Sequence, residues 1–230
     1  MGSFIQIPAA NTGETMAAYL AEPSQKAKTG IVVIQEILGV NAGIQAMTDA
    51  WTAQGYAAIA PDLFWRLKPR VELDADIPEQ FQEGLALMQR FDGDLGVKDI
   101  AAAIKALRAR GCEKVGVVGY CLGGRLAFLT AARTDSDATV AYYGVGLDGL
   151  LGESGNIKKP LLVHIATRDK FVPAEAQAKI HAGLKGNPLV TLHDYDADHA
   201  FARHKGESRV PALADQADER SRAFFATSLK

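Results

Sequence analysis

Short, almost unbroken apolar runs recur along this chain and alternate with stretches whose apolar residues fall at helical spacing. Strands are expected over residues 4–7, 17–21, 30–35, 57–60, 115–118, 139–143, 161–166 and 189–195. Several, such as Ile31-Val32-Val33-Ile34, lack the alternation of a half-exposed strand, as parallel strands covered on both faces do. The first two read as a hairpin turned at Asn11-Thr12-Gly13-Glu14. Helices are expected over residues 42–54, 80–90, 97–110, 122–132, 174–184 and 212–228. Ile100, Ile104 and Leu107 mark a buried helical face, and Gly55 and Gly111 are stop signals. Strand–helix alternation of this kind predicts an α/β protein: a mostly parallel central sheet of about eight strands flanked by helices, in one domain spanning 1–230. Residues 61–77 carry no clear element. Polar and aromatic-bearing, they are the candidate cover for a site at the sheet edge.

One junction carries chemistry. The run Val115-Gly116-Val117-Val118 leads into Gly119-Tyr120-Cys121-Leu122-Gly123-Gly124, and a helix-prone segment follows at once. Gly-x-Cys-x-Gly between a strand and a helix is the pattern of a nucleophile elbow, with cysteine in the usual place of serine. Glycines flank the nucleophile because neighbouring Cβ atoms would collide. The helix N-terminus beneath the sulfur favours its thiolate. The competing reading, a buried cysteine acting as a small hydrophobe, fits the motif alone but not its strand–turn–helix context.

Such a nucleophile needs a base, and the base an orienting acid, in the chain order nucleophile, acid, base. Asp169 follows the expected strand 161–166, and His199 follows 189–195. Cys121, Asp169 and His199 are therefore the candidate triad. The oxyanion hole is assigned to the N–H groups of Leu122 and Ile37, the latter in the loop after strand 30–35. Glu36 stands beside it at the end of an apolar strand, where an unpaired carboxylate is costly. It is expected to face the site and bond Cys121 or an arginine, with a structural ion pair as the alternative. His164 and His193 lie in a strand and at its end, and read as packed or hydrogen-bonded. His181 reads as surface, and His204 is left unplaced. Asp194, Asp196 and Asp198 beside His199 lack the glycine and distal glutamate of a calcium loop and the second histidine of a zinc motif, so no metal is expected.

Composition narrows the class. The 230 residues are 48% hydrophobic and 23% charged, with a formal net charge of −2. No basic run suggests nucleic acid. Cys112 and Cys121 make no disulfide framework, Cys112 reads as structural, and two free thiols suit a reducing compartment. The N-terminal residues lack the basic start and apolar core of a signal peptide, and Gln6 stands where a myristoylation signal needs Ser or Thr. No stretch reaches membrane-spanning length. The expectation is a cytoplasmic monomer with a small-molecule substrate and no cofactor.

With these residues in view, the chain closely resembles the dienelactone hydrolase family. The shared blocks are Gln35-Glu36-Ile37-Leu38-Gly39-Val40, Pro61-Asp62-Leu63, the elbow within 115–124, Ala141-Tyr142-Tyr143-Gly144-Val145-Gly146-Leu147, the Asp169 loop to Pro173, and His199-Ala200-Phe201-Ala202-Arg203. The resemblance implies an α/β-hydrolase fold and hydrolysis of an enol-lactone in chloroaromatic degradation. It implies that Cys121 attacks, His199 is the base with Asp169 behind it, and Glu36 holds the resting thiol protonated until substrate binds. It also implies two arginines for the substrate's free carboxylate. Arg203 matches one. The other belongs near residue 80, where this chain has Glu79-Gln80-Phe81-Gln82, so Arg66 or Arg70 is the candidate replacement. Arg203, Phe81 and Tyr120 are the expected substrate contacts. If Phe81 makes the pocket apolar, the alternative is a broad carboxylesterase for neutral activated esters, phosphotriesters among them. From a different class, the remaining alternative is a binding or redox module in which Cys121 is oxidised.

Overall fold

In the computed structural model, residues 1–10 and 13–230 are described. Eight strands form one sheet: β1 (Ser3–Pro8), β2 (Thr15–Ala21), β3 (Thr29–Ile34), β4 (Ala57–Pro61), β5 (Lys114–Tyr120), β6 (Ala138–Tyr142), β7 (Leu161–Ala166) and β8 (Val190–Tyr195). Their spatial order is β1-β2-β4-β3-β5-β6-β7-β8. β1 and β2 pair antiparallel, as do β2 and β4, and the rest of the sheet is parallel. The expected hairpin is therefore present as a strand pair. Asn11 and Thr12 of its turn lie outside the described residues.

The helices are α1 (Ala42–Thr52), α2 (Pro78–Arg90), α3 (Gly93–Ala109), α4 (Leu122–Arg133), α5 (Ala174–Leu184) and α6 (Pro211–Ser228). α1 and α6 meet on one face through Trp51 and Phe225, whose rings lie 5.3 Å apart. α3 and α4 pack together on the other. Covered on both sides, the central strands β3 to β7 are almost wholly buried, which is why they read as continuous apolar runs. A 3₁₀ stretch over Leu147–Asn156 went unread. Its Gly149, Gly152 and Gly155 leave little periodicity to detect.

Although residues 72–76 border an adjoining cavity with Glu36 and Arg203, residues 61–77, the candidate cover, do not line the cavity that touches Cys121 and His199. They fold down as turns with Leu63, Phe64 and Val71 buried. Asp62 accepts the N–H groups of Phe64 (3.1 Å) and Arg70 (2.7 Å). Burial holds its carboxyl above the usual range, against the pull of those two bonds. Gln35 accepts the Leu63 N–H at 3.0 Å, and the Leu73 N–H reaches Leu38 O at 2.9 Å. The segment thus braces the loop that follows β3.

Candidate active site

Parallel strands bring their carboxyl ends to one edge, and five of the loops leaving that edge carry the site. β5 ends in Cys121, which adopts φ 57° and ψ −114°. Few side chains tolerate that region, so the surroundings must hold it there. The Cys121 N–H bonds Tyr142 O at 3.1 Å, and its carbonyl accepts from Gly124 and Arg125 at the start of α4. Two glycines make the approach possible. A Cβ on Gly119 would lie 2.0 Å from Gly123 O, and one on Gly123 would lie 2.6 Å from Ile34 O. Of the four non-glycine residues at positive φ among those described, Cys121, Tyr143 and Ala200 are at this edge and only Arg70 is elsewhere. Strain concentrated in this way marks a functional edge.

Asp169, in the loop after β7, is almost fully buried and uses both oxygens. One accepts the Phe171 N–H at 2.8 Å, and the other lies 2.6 Å from His199 Nδ1. A carboxylate only accepts, so Nδ1 carries the proton and Nε2 is left for the nucleophile. The imidazole ring is held between the edges of Tyr143 (centroids 5.1 Å apart) and Phe171 (4.9 Å). Burial works against an imidazolium here. The negative Cys121 sulfur and the Asp169 carboxylate outweigh it and push the His199 pKa up to about 10. The arrangement therefore favours the imidazolium form of His199.

Glu36, 4% exposed, gives both oxygens to Arg203. Nε reaches Oε2 at 2.8 Å and Nη2 reaches Oε1 at 3.2 Å. Of the two partners expected for Glu36, the structure places the arginine. Arg203 borders the catalytic cavity, a space of about 30 Å³ that also touches Cys121 and His199. Ile37, Phe81, Leu85, Met88, Val145 and Phe171 form its apolar walls. Arg203 also borders a second cavity of about 230 Å³, shared with Glu36, Asn41, Asp74, Asp76, His204 and Lys205. The Leu122 N–H opens α4, in the first turn where amides lack intrahelical partners. Ile37 follows Glu36 in the bracing loop, and α2 packs on it so closely that a Cβ on Gly84 would lie 2.7 Å from Ile37 O.

Three expected contacts are not brought together here. Tyr120 points to the opposite face of the sheet, where it lines a cleft with Trp51, Asp218 and Arg222. The reason is the two-residue strand period, which sends Tyr120 to the α6 face together with Gly116, beside Phe225. Arg66 pairs with the buried Asp99, which also accepts from Trp65 Nε1. Arg70 binds Glu72 and stacks on Phe4. Neither arginine lines the catalytic cavity. His164, His181, Asp194, Asp196 and Asp198 have partners of their own, and His193 stacks on His164. His164 bonds Tyr195 and Ser221, and His181 bonds Asp194. Arg168 pairs with Asp196 and Asp198. Among residues the sequence reading passed over, Leu85 and Met88 were detectable, since with Phe81 they share one helical face (i, i+4, i+7). Phe171 lies inside the Asp169–Pro173 block. Tyr143 lies inside the family-like block that begins at Ala141.

A strand–elbow–helix with a candidate nucleophile, an Asp–His pair on later loops and this strand order fit the α/β-hydrolase class. The model of the dienelactone hydrolase family matches residues 16–229. The carboxymethylenebutenolidase of Pseudomonas putida is 42% identical over 217 residues, covering 93% of this chain and 92% of its own. A solved dienelactone hydrolase homologue from Klebsiella pneumoniae superposes with a TM-score of 0.86 at 28% identity, covering 98% of both chains. A dienelactone hydrolase-like promiscuous phosphotriesterase from metagenomic libraries has a TM-score of 0.79 at 18% identity and covers 99% of this chain and 98% of its own, which speaks to the fold alone. The chain belongs to the dienelactone hydrolase family, and it is a hydrolase of ester or lactone bonds.

Proposed function

We propose that this enzyme opens a carboxylate-bearing enol-lactone through a Cys121–His199–Asp169 triad. The observation that carries the reading is the strained Cys121 elbow, facing a histidine whose other nitrogen is fixed by Asp169 at 2.6 Å. The Cys121 thiolate adds to the lactone carbonyl, and the oxyanion is held by the N–H groups of Leu122 and Ile37. Collapse breaks the ring C–O bond, the imidazolium protonates the departing oxygen, and a thioester remains on Cys121. His199 then takes a proton from water, which adds to the thioester and releases the acid and the thiolate. Arg203 is the cation for the substrate's carboxylate, and Glu36 is its partner before substrate arrives.

A second reading is supported by two observations. Arg203 gives Nε and Nη2 to Glu36 and Nη1 to Ser208 Oγ, and the remaining walls of the cavity are mainly apolar. On that reading the preferred substrates are neutral activated esters. Comparing kcat/KM for a carboxylate-bearing dienelactone and a neutral aryl ester separates the two. Preference for the dienelactone supports the first, and preference for the ester the second. Cys121→Ala is expected to lower both by at least about 10⁴-fold, and activity surviving in it would sink the mechanism under either reading.

A further inference from the structure

The cleft behind the elbow has no part in the mechanism above. It occupies about 70 Å³ between α1 and α6 and shares no lining residue with the catalytic cavity. Met47, Ala50, Trp51 and Gln54 line it from one face of α1, Asp218 and Arg222 from α6, and Tyr120 from the end of β5. Tyr120 is only 3% exposed, and its hydroxyl makes no hydrogen bond within the described structure. The Tyr143 hydroxyl is sealed in without a partner, whereas that of Tyr120 opens on the cleft. Native structures leave few buried hydroxyls unpaired, so this one points to an occupant.

Two charges flank that hydroxyl without meeting each other. Asp218 accepts the Tyr142 hydroxyl on one oxygen at 3.1 Å and leaves the other without a donor. Burial holds its carboxyl above the ordinary range, so its charge is unfavourable until a cation meets it. Arg222 stands one helical turn further on, yet forms no hydrogen bond and no ion pair in the described structure. Opposite charges at this spacing commonly close on one another, and here they stay apart on the wall of one cleft. A lone anion entering it would meet Asp218, and a lone cation Arg222, whereas a zwitterion satisfies both. Water takes about 30 Å³ in the liquid, so the space admits a head group of a few heavy atoms, with apolar surface from Met47, Ala50 and Trp51 beside it. We propose that this cleft binds the head group of an α-amino acid, its ammonium on Asp218 and its carboxylate on Arg222 and the Tyr120 hydroxyl. The occupant lies against the residue joined to Cys121, but on the far face of the sheet, so the inference does not rest on the catalytic reading.

The test is a titration of the full-length protein with glycine, followed by NMR at the backbone amides of Ala50, Trp51 and Tyr120. Saturable shifts are expected, with a Kd on the order of 1 mM for two charge-assisted contacts. Methylamine and acetate each carry one half of the head group, and both are expected to bind at least about tenfold more weakly. Shifts that grow linearly with concentration, or that are equal for the three compounds, overturn the proposal and leave the cleft a solvent pocket. That comparison needs no variant, so it holds whatever a substitution does to folding. Asp218→Asn, Arg222→Gln and Tyr120→Phe are each expected to weaken glycine about tenfold. Saturation with an unchanged Kd in all three would place glycine elsewhere and equally overturn the assignment.

Discussion

In the proposed mechanism, His199 is the residue on which the chemistry turns. Its imidazolium is stabilised by the Cys121 sulfur and by Asp169 against the penalty of burial, so its pKa lies above the ordinary histidine value, at about 10. An imidazolium is needed to protonate the departing oxygen. The alkaline limb of kcat/KM should therefore fall as pH rises through about 10. Asp169→Asn removes one of the raising interactions, and the limb is expected to move to lower pH while kcat drops roughly 10²- to 10⁴-fold. A pH–rate profile on the neutral ester checks both, and a limb that stays in place would disconnect Asp169 from the titration. At this scale the sequence was legible where chemistry is tied to a local motif. Cys121 is announced by its flanking glycines, and Asp169 and His199 by their strand-end positions. The partner of Glu36 was not legible, because Arg203 lies 167 residues away and meets it only through the fold.

At the scale of elements, the proposed function makes α2 the expected determinant of substrate choice. Phe81, Leu85 and Met88 sit one turn apart on the face it turns to the catalytic cavity, so the helix presents an apolar wall opposite Cys121. Phe81→Arg would place a second guanidinium on that wall. It is expected to raise kcat/KM for a carboxylate-bearing lactone about tenfold relative to the neutral ester. No change in that ratio would mean that residue 81 does not meet the carboxylate. The other elements were read from their periods to within a few residues. α2 begins at Pro78, as the rigid φ of proline favours at a helix start. α3 begins at Gly93, capped by Asp92 through the N–H groups of Asp94 and Leu95, four residues ahead of the apolar periodicity that marked it. The Arg66 and Arg70 substitutes failed at this scale. The turns they lie in pack toward Asp99 and Phe4, away from the cavity.

At the scale of the whole molecule, the face away from the site is fastened by a buried polar chain. Arg220 donates to Tyr195 Oη (3.0 Å), which donates to His164 Nδ1 (2.8 Å). His164 Nε2 reaches Ser221 Oγ (2.9 Å), which bonds Tyr142 Oη (2.7 Å), and that hydroxyl donates to Asp218 (3.1 Å). The direction is fixed because arginine only donates and an ionised carboxylate only accepts. Burial keeps His164 neutral, as the chain requires. Burial also raises the Asp218 pKa, although Tyr142 and nearby arginines oppose it. For a carboxyl whose folded pKa is raised, the charged form costs stability at neutral pH, and the cost disappears as pH falls through that pKa. Asp218→Asn retains an acceptor for Tyr142 and removes the charge. Its Tm is expected to exceed wild type at pH 7 and to converge on it below the unfolded value of about 4. A lower Tm at pH 7 would mean that the charge itself holds α6 in place.

The amino-acid sequence by itself determined the layered α/β architecture, the elbow and the order of the candidate nucleophile, acid and base. Each is written in contiguous residues: a hydrophobic period, a glycine pair, a residue just past a strand end. Tertiary structure alone decided that Tyr120 turns away from the site, that Glu36 closes on Arg203 and that the Tyr143 hydroxyl is left without a partner. Those outcomes depend on which face of a strand meets which helix and on contacts between loops far apart in the chain. Local propensity is blind to both, because the energies involved arise only when the sheet brings its strand ends to one edge.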